Sequence, residues 1–87
     1  MRGSELYRRY IDKIEAIAAA DPTPAGWETK VGSLVKQFHL ETMAMARGPF
    51  RGLRDDMATD LENRAKGHSV ARAREVFSLA AQLVRSL

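Results

Sequence analysis

"PAGWETKVGSLVKQFHLETMAMAR", residues 24–47, reads as one long helix. Trp27, Val31, Leu34, Val35, Phe38, Thr42 and Met45 recur at intervals of three and four, which sets them on a single stripe of a helix. A strand would alternate apolar with polar residues, and no such alternation is sustained here. Thr23 suits the cap of this helix, and Pro24 its first position, where a missing amide hydrogen costs nothing. At the far end Gly48 suits a left-handed stop and Pro49 forbids simple continuation. Leu40, Met43 and Ala44 form a second apolar flank, so the latter half of the helix is apolar most of the way round. Either the other helices enclose this one, or part of its surface is meant for a partner.

The flanking segments share the helical period. Leu6, Tyr7, Tyr10, Ile11, Ile14, Ile17 and Ala18 make a stripe over about residues 5–20, capped by Ser4 and ended by Asp21-Pro22, because the ring disfavours helical geometry in the residue before it. Phe50, Leu53, Met57, Leu61 and Ala65 mark a third helix over about 50–66, closing at Lys66-Gly67. Ser69 offers a cap for a fourth over about 70–86, with Val70, Ala73, Val76 or Phe77, Ala80, Leu83 or Val84, and Leu87 on its stripe. The fold class expected is all-α, a compact bundle of about four helices joined by short connections, with residues 1–87 forming a single helical domain.

A chain of 87 residues has room for one core. Cores of this size yield only about 5 kcal/mol of net stability, which makes a homodimer an attractive supplement. There is no cysteine, so neither disulfides nor thiolate zinc ligands are available, and a cytoplasmic location is expected. The most apolar run, "IEAIAAA", is far short of the roughly 20 residues a bilayer span requires, and "MRGSELYRRY" lacks the apolar segment of a secretion signal. The formal charge is +3. Arg47, Arg51, Arg54, Arg64, Lys66, Arg72 and Arg74 crowd the second half, while Glu15, Asp21 and Glu28 dilute the first.

Few residues are arranged for site chemistry. Asp56, Asp60 and Asn63 in "RDDMATDLEN" share a helix face, and we read them as a solvated acidic surface complementing the positive end of the third helix. No metal is expected there. His39 and His68 have no partners at a zinc-ligand spacing. The serines sit at caps or on polar faces, the glycines are dispersed, and neither catalysis nor a cofactor is expected.

Two short motifs resemble known families. "LYRRYIDKIEAI" is similar to the opening of the helical chorismate mutases, in which a basic residue precedes an Ile-Asp pair on one very long helix. Pro22 and Pro24 stop that helix here and alanines stand where a further basic residue belongs, so the match is set aside. "NRAKGHS" resembles the core of histidine phosphotransfer domains, where a phosphorylated histidine precedes Leu, Lys, Gly and a small residue on a four-helix bundle. Lys66, Gly67 and Ser69 match, but Asn63 stands at the phosphorylated position and Ala65 at the leucine. That resemblance implies at most a docking domain without phosphotransfer.

Two functions compete. A protein-protein interaction module, of the kind bacterial accessory regulators use to bind and mask a transcription factor, would anchor its partner through Trp27, Phe38, Met43, Met45 and Phe50. The alternative is a DNA- or RNA-binding regulator with a helix-turn-helix-like segment at 64–74. There Gly67 would make the turn, Ser69 would cap the second helix, and Arg64, Lys66, Arg72 and Arg74 would meet nucleic acid. His68 falls where that motif usually has an apolar residue, and Asn63 where it has a small one. The interaction module is the preferred reading.

Overall fold

The computed structural model describes residues 3–45 and 50–87, with side chains from Glu5 to Ala44 and from Gly52 onward. Among them the chain forms four helices and no strand: α1 (Gly3–Ala19), α2 (Trp27–Met45), α3 (Phe50–Gly67) and α4 (Ala71–Arg85). The protein is an all-α four-helix bundle, as the periodicity predicts. The expected stop at Gly48-Pro49 lies outside the described residues.

Side-chain contacts give the direction of each helix. Arg9, early in α1, reaches Glu41, late in α2, at 3.6 Å, so these two helices run antiparallel. Arg64, late in α3, meets Glu15, late in α1, at 2.9 Å, so α1 and α3 point the same way. Arg54, early in α3, donates to the Leu87 carbonyl just past α4 at 3.0 Å, which reverses direction once more. The arrangement is up-down-up-down, the one short connections favour.

Among the described residues α1 packs on all three other helices, whereas α2 rests on α1 and α4 and hardly meets α3. α4, like α1, packs on all three and turns its opposite face to water. Its buried face comprises Ala73, Val76, Phe77, Ala80, Ala81 and Val84. Three alanines on that face let neighbouring backbones come close, and Phe77 and the valines fill the space between them. α1 contributes Leu6, Tyr10, Ile11, Ile14 and Ala18 to the same core, and α3 contributes Met57, Ala58, Leu61 and Ala65. From α2 come Val31, Val35 and Phe38, together with Thr42, whose hydroxyl donates to the Phe38 carbonyl at 2.6 Å and so is satisfied inside the core. Phe38 meets the Tyr10 ring edge to face at 5.8 Å.

Three local expectations are corrected. α1 begins at Gly3, so Ser4 lies within that helix and is not its cap. α2 begins at Trp27, not at Pro24, because Gly26 takes a φ of +75°, which helical geometry excludes. Pro24–Trp27 is a turn closed by the Trp27 amide on the Pro24 carbonyl at 3.2 Å, and the Gly26 carbonyl then accepts the Lys30 amide to start the helix. Thr23 and Pro24 therefore belong to the connection. At the start of α4 the cap residue is Val70, with extended backbone and no side-chain cap bond, so Ser69 does not play that part. Gly67 is the last residue of α3 and is not left-handed.

Truncation of Phe38 to alanine should cost about 3–5 kcal/mol, the usual range for an aromatic lost from a packed core. Leu40→Ala, two residues on and facing outward, should stay within about 0.5 kcal/mol of the parent chain. Urea denaturation of the two variants checks the difference.

Candidate functional site

Around α2, residues fall about 100° apart. With Phe38 and Thr42 directed into the core, Leu40 points almost straight out, and Ser33, Ala44, Lys36 and Met43 lie to either side of it. Leu40 is 57% exposed and Met43 55%. Thr29, Ser33, Lys36, Gln37 and Ala44 complete an exposed face on which Lys36 is the sole charge. A surface helix ordinarily turns its charged side outward, and a chain with 29% charged residues has the means to do so. The combination of two large apolar side chains in water with a nearly uncharged surround marks this face as the candidate site.

Only some of the expected anchors lie there. Met43 does. Phe38 is fully buried, so a partner docking on the folded chain cannot touch it. Trp27 is half-buried at the other end of α2, packed against the core, with the Arg72 guanidinium 5.5 Å from its ring centre. The side chains of Met45 and Phe50 lie outside the described residues. Leu40 is absent from the expected set, although its position opposite Phe38 follows from the helical period alone.

The four cations of the nucleic-acid reading are mostly occupied within the chain. Arg64 binds Asp60 at 2.7 Å and Glu15 at 2.9 Å, and the Asp60 hydrogen bond holds its guanidinium above the usual range. Arg72 pairs with Glu75 at 3.2 Å besides covering Trp27. Arg74 folds back to donate to the carbonyls of His68 and Ser69 at 3.0 and 3.1 Å, which ties the α3–α4 connection. Lys66 stands exposed. His68 takes the place of the apolar residue in the connection: its ring lies 6.1 Å from that of Phe77, and its Nδ1 accepts the Val70 amide at 3.1 Å.

The α1–α2 connection, Trp27, Glu28 and Arg72 line an open cleft of about 510 Å³, in which the carboxylates of Asp21 and Glu28 oppose the single guanidinium. Among the described residues no three His, Asp or Glu side chains converge. No described helix is long and apolar enough to cross a membrane.

Two consequences of this geometry can be measured. Ser69→Ala should leave stability within about 0.5 kcal/mol, where a true N-cap serine would cost about 1 kcal/mol. Glu62 accepts two hydrogen bonds from Arg85, at 2.6 and 2.8 Å, and these hold its carboxyl below the ordinary value of 4.5. The stabilisation this represents is present above that value and lost as pH falls through the lower folded-state value. Glu62→Gln should therefore lower thermal stability slightly at neutral pH and leave it unchanged at pH values where Glu62 of the parent is protonated, which flattens the acid limb of the profile.

No protein-family model, curated protein sequence or solved structure matches the chain.

Proposed function

We propose that this protein acts by binding another protein through the outer face of α2, as an accessory regulator rather than as a catalyst. The observation that carries the reading is the exposure of Leu40 and Met43, 57% and 55%, on the side of α2 opposite its core stripe. Packing within the chain already accounts for Val31, Val35 and Phe38, so the two outward residues add nothing to this core. A partner that covered them would remove apolar surface from water at about 25 cal/mol per Å², and methionine adapts its shape to such contacts.

The small size and basic balance of the chain support a regulator of the antiactivator kind, whose partner would be a transcription factor. Direct nucleic-acid binding is the weaker reading, because Arg64, Arg72 and Arg74 would have to give up Asp60, Glu15, Glu75 and two backbone carbonyls before meeting phosphate.

The test is a parallel capture from a lysate of the source cells, with the parent chain and Leu40→Ser/Met43→Ser as baits. A protein retained by the parent and lost from the variant is expected, with both baits equally stable to urea. The same partners on both baits, or duplex DNA bound with steeply salt-dependent affinity, would reject the reading.

A further inference from the structure

We infer that the outer face of α2 receives an acidic amphipathic helix from a partner protein, in preference to a second copy of this chain; the inference rests on the docking reading above. The shape of the face argues for a helix. Thr29, Ser33, Leu40 and Ala44, flanked by Lys36 and Met43, run about 24 Å along α2 as a straight, narrow strip, and another helix laid beside it at about 8–10 Å is its natural complement. Gly32 lies at the edge of this strip. A Cβ placed there would meet nothing within 4 Å, so packing inside the chain does not call for a glycine, which is a poor helix former. A partner passing close to the backbone gives that gap a use.

The charge around the strip argues for an acidic partner. Lys30 and Lys36 are exposed on α2 itself. Along the seam with α1, Arg9 reaches Glu41, and the Lys13 ammonium sits 5.2 Å from the ring centre of Tyr10, which packs on Phe38. The acids of α2 are Glu41, engaged by Arg9, and Glu28, which lies at the cleft beside Arg72. With Arg9 and Glu41 paired, Lys30 and Lys36 leave the outer side of α2 positive. Carboxylates on either side of a partner's apolar stripe would meet cations on the rim, where they set orientation and speed encounter.

A second copy fits less well. Each chain carries a formal +3. Burying Leu40 and Met43 against their counterparts in a second copy would also bring the exposed Lys36 of each chain to the seam between two chains of like charge.

Two synthetic amphipathic peptides of equal length and identical leucine stripe, one flanked by glutamates and the other by lysines, can be titrated into the isotopically labelled chain at about 0.15 M salt and followed by amide chemical shifts. The glutamate peptide should shift amides on the outer face of α2 and bind at least about tenfold more tightly than its lysine twin. Lys36→Glu should narrow or reverse that preference. Leu40→Ser/Met43→Ser should remove binding while the far-ultraviolet dichroism stays that of the parent. Equal or tighter binding of the lysine peptide on α2 would overturn the acidic partner and leave the docking face standing. Failure of both peptides to move α2 would overturn the docking face as well. A dimer of the chain alone by sedimentation equilibrium, dissolved by Leu40→Ser/Met43→Ser, would make the second copy the occupant.

Discussion

The packing of α4 against the other three helices is the constraint on which the rest of this structure depends. Ala73, Ala80 and Ala81 let neighbouring helices come close on its buried side, while Val76, Phe77 and Val84 give that side enough apolar surface to make packing favourable. α2 packs on α1 and α4 with one side and has its other side in water. The exposure of Leu40 and Met43 thus follows from which face of α2 its neighbours leave uncovered. Polar contacts then fix the arrangement from outside. Arg54 and Arg85 link α3 to α4, Arg64 links α3 to α1, and Arg9 links α1 to α2. Pairs this exposed contribute little energy each, so their role is mainly one of register.

Much of this was legible in the sequence, because spacing by three and four is a direct image of a buried helix face. Ile11 and Ile14 on α1, Val31, Val35 and Phe38 on α2, and Met57 and Leu61 on α3 are all core residues that periodicity selects. Less legible were the boundaries. At the start of α2 the pair Thr23 and Pro24 has the chemistry of a cap followed by a first turn, but Gly26 gives the chain a left-handed option that delays the helix to Trp27. At the start of α4, Ser69 has the right side chain but the wrong position, and His68 and Arg74 secure the connection by reaching neighbouring backbone. Residue preference says which side chains can cap; it does not say which will be used when a neighbour competes for the same groups.

The candidate site was half legible. Periodicity shows that α2 has two apolar flanks, but cannot say whether a neighbouring helix covers the second, since that depends on long-range packing. Phe38 was expected at the surface because large aromatics often anchor interfaces, and it is inside because its own stripe carries it there. Leu40, less conspicuous by type, is the residue that the packing leaves outside. The cations at 64–74 show the same limit from the electrostatic side. In the sequence they form a basic cluster, and in the fold Arg64, Arg72 and Arg74 are held by nearby carboxylates and carbonyls.

The bundle holds one methionine, Met57, in its core and presents another, Met43, to solvent. Timed oxidation with dilute hydrogen peroxide, read by mass spectrometry of the intact folded chain and its peptides, tests this directly, since thioether oxidation follows exposure. Met43, 55% exposed, should form its sulfoxide early, and Met57, fully buried, should resist until the chain is unfolded. Equal rates for the two in the folded monomer, or slower oxidation of Met43, would contradict the account.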